Sequence, residues 1–165
     1  MFGKIAHINI SRGGVPKHPI PEALVHPLGL EGDGHAHPHI HGGPNQALLL
    51  ITAEAIEELR VQGFAVYPGA LGENITTEGI DRRQMRSGQR YRLGDVIIEL
   101  TQVRAPCHQL DGYGAGIQKA MYNKAAVKAG DASTPTWAIS GFYASVVQSG
   151  TIRTGAPIVL LDQSV

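Results

Sequence analysis

The sequence predicts a mostly β fold with two or three short inserted helices. Short apolar alternations separated by glycine run along the chain, and its 21 glycines and 10 prolines suit tight turns between strands. Only two segments have a clear helical pattern, so helices are the minor part of the predicted fold. At 165 residues the chain is expected to form one domain over residues 1–165.

Five stretches predict strands. Residues 3–10 alternate in character, and residues 23–30 and 47–52 are short apolar runs. The run at 47–52 is continuous enough to be buried on both faces of a sheet. Residues 90–103 indicate a strand pair broken at Leu93-Gly94-Asp95, and residues 154–162 form the last predicted strand.

The clearest helical segments are residues 52–63 and 116–130. The first has Thr52 as N-cap, acidic residues in its first turns and Gly63 as its stop. The second combines apolar residues at helical spacing with three lysines, which predicts one amphipathic helix. A third, shorter helix is expected near residues 143–150.

Charge and leading sequence exclude several classes of partner. The chain has 14 Lys plus Arg and 14 Asp plus Glu, and its longest basic run is Arg82-Arg83, so neither nucleic acid nor an acidic membrane is expected to bind. The first residues lack the apolar stretch of a signal peptide, and no run approaches the roughly 18 apolar residues of a membrane helix. We therefore expect a cytoplasmic protein with a small-molecule substrate or cofactor.

Four of the eight histidines stand at alternate positions, namely His35, His37, His39 and His41. In an extended strand the first and last would be about 20 Å apart, which is too far to share one ion. A turn at residues 37–43 would bring three of them together, and zinc would then need a fourth ligand such as Asp33 or water. A solvated loop with incidental histidines is the alternative, and residue chemistry leaves both interpretations open.

Two further stretches carry polar groups. The loop at 68–80 holds three glycines and several polar residues, which suits close approach of backbone N–H groups to an anion. On residue chemistry alone, two turns flanking a strand are the favoured explanation. Cys107, the only cysteine, follows the strand expected to end at Val103. A lone cysteine is usually a small buried hydrophobe, but Arg104 and His108 favour the thiolate, which is a soft metal ligand.

Taken in order, four segments resemble the MOSC domain, the family named for the C-terminal domain of molybdenum cofactor sulfurase. They are GLEGDGHAH with HGGPNQALLLI, then PGALGENITTEGI, RLGDVIIELTQVRAPCHQL and TGAPIVLL, and the resemblance runs from about residue 5 to residue 161. It implies a MOSC-type β-barrel with a site built around Cys107. In oxidoreductase members the matching cysteine ligates molybdenum of a pterin cofactor, and N-hydroxylated compounds are reduced. Other members are proposed to carry sulfur as a persulfide.

The resemblance implies most of the predicted site residues, and residue chemistry adds Arg104 for an anion and His35 and His37 for a metal. Those given catalytic roles are Cys107, His41 and Asp33; those expected to line the cofactor pocket are Gly42, Gly43, Gly72, Glu73, Asn74, Thr76 and Arg104; those expected near a metal are Cys107, His35, His37 and His41. Larger oxidoreductase members complete their pocket with an additional domain, which we do not expect within these 165 residues. A homodimer is one arrangement that would complete it here.

Three functional hypotheses follow. The first is a molybdenum-cofactor-binding or sulfur-carrying MOSC protein, an oxidoreductase or sulfur transfer protein that uses Cys107. The second is a zinc-type enzyme that uses the histidine run with Asp33, and with Glu73 as general base. The third is a non-catalytic small-ligand barrel in which the cysteine is inert.

Overall fold

The computed structural model describes residues 2–34 and 42–163, which contain eleven strands and three α-helices. The strands are β1 (Phe2–Ile10), β2 (His18–Ile20), β3 (Glu22–His26), β4 (Gly29–Leu30), β5 (Leu48–Thr52), β6 (Ile75–Glu78), β7 (Gln89–Leu93), β8 (Val96–Val103), β9 (Phe142–Gln148), β10 (Gly150–Arg153) and β11 (Pro157–Gln163). The helices are α1 (Ala53–Val61), α2 (Ile117–Met121) and α3 (Lys124–Lys128), and short 3-10 turns span Pro44–Gln46, Arg82–Gln84 and His108–Tyr113.

Seven strands close into a barrel. Their order is β11-β7-β8-β9-β5-β6-β1, and β1 pairs in turn with β11, with Phe2 opposite Val159. Strands β5 and β6 are parallel, whereas the other neighbours around the barrel are antiparallel. Strand β2 extends the sheet beyond β1, and β10, β3 and β4 form a separate three-stranded sheet. The predicted mostly β fold is thus confirmed.

Strand β5 is buried on both faces, as its continuous apolar run predicts. Leu48 and Leu50 belong to the larger hydrophobic core. Leu49 and Ile51 point the other way, into a second core shared with α1 and α2. Because successive side chains of a strand face opposite sides, a run with no polar residue is what this position between two cores requires.

Helix α1 confirms the segment predicted at 52–63. The Thr52 hydroxyl accepts a hydrogen bond from the backbone N–H of Ala55 at 3.0 Å, and Gly63 follows the helix with φ +100°. This is the N-cap and glycine stop that the sequence indicates.

The other two helix predictions were wrong. Residues 116–130 form two helices, because Tyr122 is extended (φ −155°) and the Asn123 side chain caps a new helix by accepting from the Ala126 N–H at 3.0 Å. Residues 143–150 belong mainly to β9, where Phe142 and Ala144 are buried at alternate positions and β-branched Val146 and Val147 favour a strand. Across the described ranges, no helix is both long and apolar enough to cross a membrane.

Candidate functional site

A cleft opens beside the end of β8, and we call it the Cys107 cleft. Its walls come from five separate stretches of chain, near residues 14–17, 42–49, 72–74, 104–109 and 143. The lining side chains include the thiol of Cys107, the cations Lys17 and Arg104, the amides Gln46 and Asn74, the phenol of Tyr143, and apolar Val15 and Leu49.

Cys107 lies at the start of the 3-10 turn that follows β8. It is a free, half-buried cysteine, and its carbonyl accepts the N–H of Leu110 at 3.2 Å. Strand pairing ends at Val103, opposite Phe142, so the chain leaves the sheet just before the cysteine. The thiol is therefore presented to the cleft by a short loop anchored to the barrel, where the sequence places it.

Arg104 is buried beside the cysteine, with only 6% of its surface exposed. Its Nη2 donates to the Leu71 carbonyl at 2.8 Å and its Nη1 to the Ser140 carbonyl at 3.5 Å. No carboxylate among the described residues lies within 4 Å of this guanidinium. Burial lowers the pKa of Arg104, and nearby Tyr143, Cys107 and Glu73 oppose that shift.

Asp33 does not line the cleft, but it binds two residues that do, Lys17 and Asn74. Its Oδ1 accepts from Lys17 Nζ at 2.6 Å and from the Ser11 N–H at 3.0 Å, and its Oδ2 accepts from Asn74 Nδ2 at 2.8 Å. The Asn74 Oδ1 then accepts from the Leu49 N–H at 3.0 Å. Because both carboxylate oxygens are engaged, Asp33 holds Lys17 and Asn74 in place and is not presented to the cleft as a free base.

Glu73 is fully buried in the loop that precedes β6, next to the cleft residues Gly72 and Asn74. Its Oε2 accepts from the Thr76 hydroxyl at 3.0 Å, and that hydroxyl accepts from Asn9 Nδ2 at 3.1 Å. Its Oε1 is buried with no hydrogen-bond partner among the described residues. Burial raises the pKa of Glu73 to about 7, against the lowering effects of the Gly69 backbone, the Thr76 hydroxyl and the charge of Arg104.

The structure gathers part of the predicted site set around the cleft. Gly42, Gly72, Asn74, Arg104 and Cys107 line it. The expectation that Glu73 and Thr76 also line it was wrong, because both side chains are turned into the buried polar cluster with Asn9. Gly43 is exposed and lies outside the cleft lining, and Asp33, whose side chain is nearly buried, also lies outside it.

The histidine predictions fall outside the described residues, since His35, His37, His39 and His41 all lie in the segment 35–41. Within residues 2–34 and 42–163, no three His, Cys, Asp or Glu side chains come close enough together to hold a metal ion. The Cys107 thiol is therefore the soft metal ligand that the described part of the cleft offers.

Four polar residues of the cleft were not predicted from the sequence, namely Lys17, Gln46, Gln109 and Tyr143. Lys17 is 7% exposed and paired with Asp33, which is unusual for lysine and leaves no mark in the sequence. Tyr143 lies in a segment that was predicted to be helical. The alternation of apolar Phe142 and Ala144 with their neighbours would have indicated a strand instead. Gln46 follows the HGGP segment, and its Oε1 is buried without a partner among the described residues.

Known proteins resemble this chain in sequence and in fold. It is 29% identical to protein YiiM of Escherichia coli K12 over 148 residues, covering 86% of this chain and 60% of YiiM. It is 29% identical to the uncharacterized protein YflK of Bacillus subtilis 168 over 154 residues, covering 91% of this chain and 64% of YflK. The chain thus spans less than two thirds of the length of these curated relatives.

Structure comparison agrees with these likenesses. The crystal structure of YiiM from Geobacillus stearothermophilus superposes with a TM-score of 0.69 and 25% sequence identity, covering 97% of this chain and 75% of that one. The family model of the MOSC domain matches residues 37–159, which is more than half of the sequence and includes Cys107 and most of the cleft. With this match and this barrel, the chain belongs to the MOSC domain family.

Proposed function

We propose that the chain binds a molybdenum–pterin cofactor in the Cys107 cleft, with Cys107 as the protein ligand to molybdenum. The observation that carries the proposal is that a half-buried thiol shares its cleft with a buried guanidinium that has no carboxylate within 4 Å among the described residues. A thiolate is a soft ligand, and a guanidinium suits the oxygens of a phosphate. Together they match the metal and the anionic end of such a cofactor.

The remaining lining fits the rest of that group. The Gln46 Oε1 is a buried acceptor without a partner in the described part of the chain, which suits a ring N–H of a pterin. Leu49 and Val15 add apolar surface on which a flat ring can pack. Lys17, held by Asp33, adds a second cation to the lining. A ligand with a soft metal, an anionic group and a donor-bearing ring would satisfy all of these groups.

The cofactor, when bound, would supply the redox chemistry needed to reduce N-hydroxylated small molecules. The chain's own residues would bind and orient it: Cys107 at the metal, Arg104 at the anionic group and Gln46 at the ring. The Asp33 network would keep the facing wall fixed. Reduction of such compounds in the cytoplasm is the activity we propose for the whole protein, and YiiM and YflK extend beyond the part that this chain matches.

Metal analysis tests this function directly. The full chain, purified from a host that makes molybdenum cofactor, should contain molybdenum and release a fluorescent pterin on denaturation. Cys107→Ser should lose the molybdenum while keeping its melting temperature within a few degrees. Ala105→Ser is the matched control, because it adds a hydroxyl at an exposed position of the same loop outside the cleft. Zinc in place of molybdenum would favour the histidine-based enzyme, and absence of both metals would refute the proposal.

Sulfur carriage is a second candidate function of the same residue. A half-buried thiol at a strand end is accessible to a small sulfur donor while the cleft walls shield it. Intact-protein mass spectrometry should then show a mass increase of one sulfur atom on the wild type. The increase should vanish in Cys107→Ser and on treatment with cyanide. A protein that carries molybdenum and never shows this increase would exclude sulfur carriage.

A further inference from the structure

We propose that Glu73 controls the anion affinity of the Cys107 cleft: as a neutral carboxyl it leaves the charge of Arg104 available to a bound anion, and as a carboxylate it compensates that charge. The inference deepens the proposed function, on which it rests for the assignment of Arg104 to the anionic end of the ligand. It requires Arg104 to face both the cleft and Glu73, and it requires Glu73 to exist in either charge state.

Arg104 meets the first requirement. Arg104 lines the cleft, and its guanidinium also contacts the loop that carries Glu73. The Leu71 carbonyl accepts from its Nη2 at 2.8 Å, and a Cβ placed on Gly72 would lie 3.9 Å from the same nitrogen. Glu73 is the next residue, and the two side chains interact electrostatically, each favouring the charged form of the other. The cation is thus shared between a solvent-facing cleft and a buried carboxyl.

Glu73 meets the second requirement, that it can be either neutral or charged, because its carboxyl group is only partly hydrogen-bonded. One carboxyl oxygen accepts from Thr76, whereas Oε1 has no partner in the described residues. A fully buried carboxylate with one oxygen unpaired is costly, so burial favours the neutral acid. The backbone N–H groups of Gly69 and Glu73, the Thr76 hydroxyl and, last, the charge of Arg104 favour the carboxylate, and the pKa of Glu73 lies at about 7.

Three other titratable side chains lie near Arg104 or Glu73, and for each the question is whether its charge changes near pH 7. Tyr113, on the 3-10 turn, faces Glu73, and burial raises its pKa to about 12. Tyr143, on β9, faces Arg104, and burial raises its pKa above the usual value. Both phenols therefore stay neutral. Cys107 also interacts with Arg104, so the thiol must be removed to isolate the effect of Glu73.

The direction of the effect follows from these charges. Below about pH 6 the neutral carboxyl leaves one uncompensated cation at the cleft, and above about pH 8 the ionised carboxyl cancels it. Anion affinity should fall as the pH rises through 7. We expect a decrease of about tenfold, within the range usual for two coupled binding sites.

Sulfate binding tests the proposal, because the charge of sulfate is constant over this pH range. Its affinity is measured by calorimetry from pH 5.5 to 8.5 on the full chain carrying Cys107→Ser, which also removes the proposed molybdenum ligand. Sulfate should bind less tightly as the pH rises, and adding Glu73→Gln should make the affinity independent of pH at the tighter value. Adding Arg104→Gln, which removes the positive charge, should weaken sulfate binding at every pH.

Two outcomes would overturn the inference. One is a Glu73→Gln protein, folded by circular dichroism, that keeps the pH dependence of the parent; all variants retain the same histidines, so the difference reports Glu73 alone. The other is sulfate affinity that does not depend on Arg104. Neither outcome would contradict the proposed molybdenum binding, because that proposal is tested by the metal content of the protein that retains Cys107.

A measurement on the unsubstituted carboxyl covers the case in which Glu73→Gln does not fold. A sulfate bound at Arg104 offsets the positive charge that stabilises the Glu73 carboxylate. Sulfate binding near pH 7 should therefore be accompanied by proton uptake at Glu73. The apparent binding enthalpy at pH 7 should then differ between buffers of different ionisation enthalpy, and the difference should vanish at pH 5. Equal enthalpies in both buffers at pH 7 would refute the coupling.

Discussion

The buried carboxyl of Glu73 should make the folded protein less stable as the pH rises, and Glu73→Gln should remove that dependence. Glu73 is 0% exposed, and burial raises its pKa from 4.5 to about 7 in the folded state. Below pH 4.5 both the folded and the unfolded chain hold the proton. Between pH 4.5 and 7 only the folded chain holds it, so the free energy of unfolding falls over this interval and is level above it.

The magnitude follows from the size of the shift. One pKa unit corresponds to about 1.4 kcal/mol, so a shift from 4.5 to about 7 corresponds to a loss on the order of 3 kcal/mol between pH 4.5 and 8. Glutamine matches the shape of the neutral acid and cannot ionise. The stability of Glu73→Gln relative to wild type should therefore rise by about this amount over the same interval, whatever constant offset the substitution brings.

Urea denaturation at half-unit steps from pH 4.5 to 8.5 measures the difference curve. The histidines are common to both proteins and cancel in it. Glu78→Gln is the matched control: it makes the same chemical change at the exposed end of β6, where Glu78 pairs with Lys4 at 3.4 Å and is half exposed. Its difference curve should be flat within about 0.5 kcal/mol. A flat curve for Glu73→Gln as well would refute the assignment of the titrating group.

Three further predictions concern the walls of the cleft. Lys17→Met should lower the free energy of unfolding, measured by urea denaturation, by about 3 kcal/mol, because it leaves Asp33 charged, nearly buried and without its cation. Adding Asp33→Asn to the same chain should restore part of this loss. If the two losses simply add, the Lys17–Asp33 pair does not stabilise the fold. Gly69→Ala should lower the free energy of unfolding far more than Gly88→Ala. Both glycines have φ near +90°, but a Cβ at Gly69 would collide with the backbone oxygen of Lys17, whereas a Cβ at Gly88 would meet open space. Cys107 should react with a thiol reagent in native buffer, and labelling that requires denaturant would contradict its placement.

Local patterns with a single physical cause were predictable from the sequence. The apolar run of β5, the Thr52 cap and the Gly94 turn each follow from backbone geometry and neighbouring residues, and each appears in the structure. Cys107 was also correctly placed at a strand end, because Pro106 and the following glycines mark the departure from the sheet.

What the sequence could not provide depends on contacts between distant residues. Glu73 and Thr76 were predicted to face the ligand, yet their partner Asn9 lies on another strand and draws them inward. Lys17 owes its burial to Asp33, sixteen residues away. Each of these outcomes is decided by tertiary pairing that no local pattern encodes.

The five-part wall of the Cys107 cleft has a consequence for when the cleft exists. Its stretches lie as far apart as residues 14 and 143, and they flank strands β1, β5, β6, β8 and β9, so they meet only when these five strands are paired. Partly folded forms lack the cleft and cannot retain a ligand. A ligand in the cleft therefore binds only the folded barrel. Its binding free energy adds to the free energy of global unfolding, and the ligand also orders the nearby loops.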